Sequence, residues 1–326
     1  MAETGTAAVS VDQTAYDMAT EYALRPETYF DAVSSVKAQH QAMPGSAVKF
    51  TITTNLAPAI TALTETVDVT PAALSDSQVT VTLAEYGNAV RTTALLRGTS
   101  FVVPYDAVVA NSIGFNAGVS LDTIARDTLK AATNVIYVTG AARNAQIAAT
   151  STITSSKIRQ AVAYLRRNNV QSFGGSYVGF IHPDVSYDLR SETGAAAWRD
   201  PHVYSQPEDI WNGEIGKYES IRWMEAARAP IFIDSGSTGT TDVYGTMIMG
   251  QQALAKAYSF TDGNTAMPKI VPGPVTDVLR RFVPLGWYWL GGYAIYRQEA
   301  ITRIESASSI GNNSASGSND PAINSN

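Results

Sequence analysis

Between Val48 and Leu83 the chain alternates in a way that leaves few structural options. Val48, Phe50, Ile52 and Leu56 take one set of positions, and Lys49, Thr51, Thr53 and Asn55 take the other. A period of two is that of a strand with one apolar and one polar face. Val67 and Val69 carry the pattern on. Pro71 to Ser77 reads as a turn or loop, and Val79, Val81 and Leu83 then alternate with Thr80 and Thr82. The spacing predicts long β-hairpin arms over residues 48–93 around a polar tip. An isolated hairpin is marginal in water, so this one needs a sheet or a second subunit beneath its apolar face. Val48, Phe50, Ile52, Leu56, Val79 and Val81 are therefore candidate inter-subunit contacts, and Trp198 and Trp211 join them as large aromatic side chains farther along.

Composition agrees with a partner-covered surface. Of the 326 residues only 16% are charged, against a usual quarter, while 45% are hydrophobic. The net charge is −6 and no basic run points to nucleic-acid recognition. With no cysteine, disulfides, thiolate metal sites and a cysteine nucleophile are excluded. The first residues, MAETGTAAVS, lack the basic and apolar regions of a secretory signal, and no apolar run approaches a membrane span. The expectation is a protein made and folded in a cytoplasm, with no membrane partner.

Ahead of the hairpin, Thr14 to Phe30 and residues 27–43 show helical spacing, and residues 1–46 read as an arm that packs on something else. After it, Tyr105 to Ser112 predicts a short helix, Gly114 and Gly118 a link, and Ser120 to Tyr137 the longest helix of the chain. A second clear helix runs from Thr154 to Asn168 with Ile158, Ala161, Val162 and Leu165 inward. Tyr177 to Ile181 is a short apolar strand. His182-Pro183-Asp184 then starts a helix, with Pro183 at its first turn and Asp184 at its positive end. Pro207 opens another helical start, and Ser220 to Glu225 is extended. Val243–Met249, Ala253–Tyr258, Val278–Val283, Trp287–Tyr296 and Ala300–Ile304 read as strands, with 261–276 a loop. Gly291-Gly292 marks a bulge or a close backbone contact. From Ser306 the Ser/Asn/Gly-rich tail is expected to be disordered.

Signals for chemistry are weak. His182 beside Asp184 offers the parts of a hydrolase. The competing reading, favoured by the spacing, has His182 ending a strand and Asp184 starting a helix. The same tripeptide marks co-chaperone J-domains, but there a basic helix precedes it rather than a strand. His182 and His202 with Asp184, Asp188 and Asp200 lack the helical spacing of a metal site. No G-x-S-x-G, G-x-G-x-x-G or P-loop occurs, and Gly213 to Lys217 is too short for one. No catalytic residue, cofactor or metal is assigned.

The order of parts resembles the major capsid proteins of tailed bacteriophages with the Hong Kong 97-type fold, an α+β class. The resemblance rests on the arm, the hairpin, the long helix, the strand–HPD–helix ending Tyr187-Asp188-Leu189-Arg190, then Trp198, Tyr204, Gly213-Glu214-Ile215-Gly216, Ile221 to Glu225 and Gly291 to Ile295. It covers residues 40–305 and implies an N-terminal arm over 1–46 and an extended hairpin, the E-loop, over 47–97. It further implies a peripheral domain with a spine helix over 98–150, an axial domain over 151–270, returning peripheral strands over 271–305 and a tail over 306–326. The implied role is a structural subunit that assembles with itself, as pentamers and hexamers, into an icosahedral virion shell around double-stranded DNA held without sequence-specific binding. Portal and decoration proteins are partners the family brings, and because the long N-terminal scaffolding segment of some members is not found in this sequence, the resemblance implies either a separate scaffolding protein or none. The Lys–Asn crosslink of some members is not carried over, because the hairpin's one lysine, Lys49, sits at its base. An encapsulin-like nanocompartment shell is the alternative within the fold, and a hydrolase using His182 and Asp184 the alternative outside it.

Overall fold

The computed structural model describes residues 28–40, 47–99 except 55, 64 and 67, 105–192 except 139, 214–259 except 238 and 240, 267–273, and 277–310 except 280. The fold is α+β. In chain order the strands and helices begin with β1 (Ser35–His40), β2 (Ala47–Thr53), β3 (Asp76–Thr82), β4 (Ala84–Thr93), α1 (Ala94–Thr99), α2 (Tyr105–Lys130), β5 (Val135–Tyr137) and α3 (Ser155–Arg167). There follow β6 (Tyr177–Ile181), α4 (Pro183–Ser191), β7 (Glu214–Tyr218), β8 (Ile221–Glu225), β9 (Ile231–Phe232) and β10 (Val243–Met249). The chain closes with β11 (Leu254–Ser259), β12 (Lys269–Pro272), β13 (Phe282–Ile295) and β14 (Ile301–Ser306).

Two sheets organise these elements. The larger runs β5-β14-β10-β6-β8-β7, with β9 also on β10. One of its faces is covered by α3 and α4: Ile158, Leu165, Val185 and Leu189 pack with Trp223, Ile221, Ile248 and Ile304. Its other face meets the C-terminal half of α2, where Ala125 and Leu129 join Phe180, Met247 and Phe30. The smaller sheet is built on β13, whose Phe282–Gly291 stretch pairs antiparallel with β4. On the opposite edge of β13 lie β12, against Leu285–Tyr288, and β11, against Gly291–Ile295. Here the N-terminal half of α2 supplies the cover, with Val109, Ile113, Ala117 and Leu121 on Trp287 and Trp289. One helix therefore bridges both sheets.

The α3, α4, β6, β8 and β10 segments form where periodicity places them, and the buried apolar residues of α3 are the expected four, with Ser155 buried beside them. Several expectations need correction. Residues 105–137 are not two helices with a glycine link. Tyr105–Lys130 is one helix of 26 residues, and Val135–Tyr137 is a strand. Gly114 and Gly118 point to open space on that helix, where they cost propensity without ending it. The helix expected over 27–43 is a single 3₁₀ turn at Asp31–Val33, followed by β1 pairing parallel with β11. The helix expected over Thr14 to Phe30 and the start at Pro207 lie outside the described residues, save that 28–30 are not helical.

The hairpin is shorter than expected. Only 47–53 and 76–82 pair, and Val69 lies in an exposed loop. Residues 84–93 belong to the smaller sheet instead, because backbone partners on β13 extend from Ala84 to Thr93. Lys269–Pro272, expected as loop, is an edge strand. The two strands expected over 278–296 are one 14-residue strand, with Val278 and Leu279 in an exposed turn before it. The tail does not loosen at Ser306. Ala307 and Ser308 are buried, and Ser309 donates through its backbone N–H (2.9 Å) and its hydroxyl to the Asp188 carboxylate. The rest of the tail, 311–326, is outside the described residues. Sheet membership also crosses the domain limits expected from sequence order: β5 and β14 complete the larger sheet, and β11 belongs to the smaller one.

Candidate assembly surfaces

His182 ends β6 and caps α4. Its Nδ1 accepts the Asp184 backbone N–H at 3.3 Å, which satisfies a donor that the helix start would otherwise leave open. The imidazole is buried, lies 5.0 Å from the Tyr244 ring, and has its pKa pushed down by burial, partly countered by Asp184 and Glu225. Asp184 accepts the Tyr244 hydroxyl at 3.0 Å. The imidazole nitrogen facing Asp184 is thus spent on the helix start, the reading that competed with a hydrolase. Among the described residues no group of three His, Cys, Asp or Glu side chains is placed to hold a metal. His202 and Asp200 lie outside those residues.

The segment entering from the arm is plugged into the core by a constellation that sequence reasoning missed. Phe30 is fully buried, 4.7 Å from the Phe180 ring. The Phe30 and Asp31 backbone N–H groups donate to Asp122 Oδ1, at 2.7 and 3.3 Å. Asp31 in turn receives Lys256 Nζ at 2.8 Å and the Tyr293 hydroxyl at 2.6 Å. Lys256, buried on β11, also lies over the Trp289 and Tyr293 rings at 5.6 and 5.5 Å. Burial raises the Asp122 pKa, with the two backbone bonds opposing it, and burial beside Asp31 raises that of Tyr293. A lone lysine between Ala255 and Ala257 was the available signal: a buried ammonium requires a carboxylate partner. Asp122 gave no such signal, since it falls in the first turn of the helix expected from Ser120, where a carboxylate is ordinary, whereas the helix in fact begins at Tyr105.

The candidate contact residues separate into two groups. At the hairpin base Val81 is fully buried against Ala255 and Ala257, with Val48 and Phe50 packed around it, and Phe50 meets Tyr296 edge-on at 6.0 Å. Val81 is therefore a core residue of its own chain and has no surface left for a neighbour. Ile52 and Val79 are half-buried. The last bond between the hairpin's arms among the described residues runs from the Thr54 N–H to the Ser75 carbonyl at 3.0 Å, and beyond it Leu56 is 54% exposed. Sequence reasoning missed the apolar residues that follow it in the tip: Ile60 is 91% exposed and Leu63 76%, with Leu74 also exposed. Exposed apolar segments of this kind mark interaction sites. Trp198 and Trp211 lie outside the described residues. Trp223 is fully buried in the larger sheet's core.

A family model described as "Phage capsid protein" matches residues 5–310. Solved structures with the same fold include the capsid of Ralstonia phage GP4, 16% identical with TM-score 0.73 over 92% of this chain and 96% of that one. The capsid of cyanophage P-SCSP1u is 16% identical with TM-score 0.69, over 94% and 96%. The capsid of cyanophage Pam1 is 15% identical with TM-score 0.68, over 94% and 99%. No curated protein sequence matches the chain.

Proposed function

The chain belongs to the phage capsid protein family and is a structural subunit of a phage shell, and from that premise we propose that it builds an icosahedral head by self-association into pentamers and hexamers. The family match across residues 5–310 is the observation that carries this reading. In it, the smaller sheet, α2 and the β2–β3 hairpin form the peripheral domain and its E-loop, residues 1–46 form the arm, which lends β1 to the smaller sheet, and the larger sheet with α3 and α4 forms the axial domain. The exposed tip, 54–75, lies over a neighbouring subunit. Each contact is of ordinary size, about 1,600 Å² for a standard interface, and closed symmetry multiplies it. Double-stranded DNA inside is held without strong cationic binding, as the net charge of −6 favours. Scaffolding, portal and decoration proteins are partners of the assembled head, and synthesis takes place in the host cytoplasm.

The subunit performs no catalysis in this reading. The capping role of His182 supports that, since the imidazole is committed to α4. Electron microscopy of the purified chain, alone and with a scaffolding partner, tests the proposal. Closed shells are expected, and persistent small species under every assembly condition would overturn it.

A further inference from the structure

Where the arm enters the fold, an amine, a carboxylate and a hydroxyl of one chain are held in contact. Lys256 of β11 stands directly opposite Tyr293 of β13, so their side chains leave the smaller sheet on the same face. Trp289, four residues before Tyr293, shares that face. The Trp289 and Tyr293 rings lie 5.6 and 5.5 Å from Lys256 Nζ and wall it from water, leaving the lysine side chain 4% exposed. Asp31 meets this nitrogen from the arm. Its backbone N–H is fixed on Asp122, and β1 just beyond it runs beside β11, with Val36 paired to Lys256.

The contact has the geometry of a reactive pair. Nζ is almost equally close to both Asp31 oxygens, 2.8 Å from Oδ1 and 3.0 Å from Oδ2, which centres it on the carboxyl carbon between them. The Tyr293 hydroxyl donates to Oδ1 at 2.6 Å. Burial beside Asp31 raises the Tyr293 pKa, so this hydroxyl keeps its proton and remains a donor. The ammonium side of the pair is dry, whereas the Asp31 side chain is 36% exposed and opens to solvent.

We propose that Lys256 and Asp31 condense after folding into an amide bond within one chain, with the Tyr293 hydroxyl holding the oxyanion. The ion pair is the precursor. A proton passes from Nζ to Oδ2, and the neutral amine and acid escape the cost of two charges in an apolar site. The nitrogen lone pair bonds to Asp31 Cγ, and the electron pair of the C=O bond moves onto Oδ1, where Tyr293 donates to it. A second proton moves from nitrogen to the Oδ2 hydroxyl. The Cγ–Oδ2 bond then breaks with its electron pair, and water leaves by the exposed side of Asp31. Oδ1 remains as the amide carbonyl. Amine and acid fixed in contact have an effective concentration of about 10⁵–10⁸ M, which offsets the solvent water that opposes condensation. Neither partner lies on the hairpin, and isolated subunits suffice, so the bond stands apart from the shell reading. In a chain without cysteine it would tie distant segments as a disulfide does, whatever the redox state.

Intact-mass spectrometry of the full chain, folded, aged and then denatured, tests the bond. A mass short of the sequence by one water is expected. Trypsin should fail to cut after Lys256, and a branched peptide should join the segments that hold Asp31 and Lys256. Lys256→Arg keeps the cation but cannot condense, and should show its full mass. Tyr293→Phe keeps the ring, and with an unchanged melting temperature it should condense about 10²-fold or more slowly. The full sequence mass in the aged, folded chain overturns the proposal. A deficit that persists in Lys256→Arg also overturns it, by placing the lost water at another site. An unchanged rate in Tyr293→Phe overturns the part given to the hydroxyl.

Discussion

Gly292 lies so close under the carbonyl oxygen of Thr82 that a β-carbon on it would sit 2.1 Å from that oxygen. The hairpin is thus seated on β13 through a backbone-to-backbone approach that a side chain would prevent. Gly292→Ala should lift β3 from the sheet, at about 1–3 kcal/mol, the usual cost of overpacking. Urea unfolding should report this loss. Hydrogen exchange should localise it to residues 79–82, and unchanged protection there would contradict the seating.

Asp122 should make stability fall as pH rises. Its carboxyl pKa is raised by burial in the folded chain, so its contribution is complete below the ordinary carboxylate pKa and is lost as pH climbs through the folded value. Asp122→Asn keeps an acceptor for the Phe30 and Asp31 N–H groups and removes the buried charge. It should flatten the slope of the melting temperature with pH and leave neutral-pH stability equal or higher. Asp122→Ala, which strands both N–H groups, should cost about 1–3 kcal/mol at any pH.

His182 should act with the opposite sign. Its folded pKa is depressed, so the stability it gives is present above the ordinary histidine value of about 6.5 and is lost as pH falls toward the folded one. Protonation of Nδ1 removes the acceptor that caps α4. His182→Asn, a good capping residue, should keep the helix start and abolish the acid-side loss. Hydrogen exchange at 184–186 across pH 7 to 4 would measure it, and identical acid sensitivity in both proteins would exclude the cap as the cause.

Removing one partner of the Asp31–Lys256 pair should do more harm than removing both charges. Lys256 is the buried member, whereas Asp31 is partly exposed, so Asp31→Ala should cost about 1–3 kcal/mol, below the full penalty for an uncompensated buried ion. Lys256→Met with Asp31→Asn should recover most of it. Chemical denaturation of the three proteins decides the matter, and additive losses would argue against coupling.

Assembly and folding should separate at the tip. Leu63→Asp changes an exposed residue and should leave subunit stability within about 0.5 kcal/mol, yet shells should fail to form. Trp223→Ala, in the core, should cost about 3–5 kcal/mol and deplete folded subunit before assembly is reached. Melting curves alongside electron micrographs distinguish the two.

The parts legible in the sequence are those where one face meets one core. Ile158, Ala161, Val162 and Leu165 share a stripe, and the structure buries all four. The HPD start was legible because a proline and a carboxylate in the first turn act locally, whereas the cap supplied by His182 was not read. What escaped was set by distant partners. Gly114 and Gly118 look like breaks, yet α2 passes through them because flanking Ile113 and Ala117 are held on Trp287 and Trp289. Ala84–Thr93 alternates poorly with mostly exposed side chains, and its register comes from backbone pairing with β13. Val81 and Leu56 share one alternation, but only the first lies over Ala255 and Ala257.

The bond between Asp31 and Lys256 closes a loop of 225 residues. During synthesis the carboxylate leaves the ribosome long before its ammonium partner exists, and β1 waits equally for β11. Contacts of such separation form late. Until they do, the niche at Ala125, Leu129 and Phe180 lacks Phe30, leaving apolar surface open in a partly folded chain. Nascent subunits are thus most prone to stick to one another just before completion. Lower temperature or chaperone supply during expression should therefore govern the yield of assembly-competent protein.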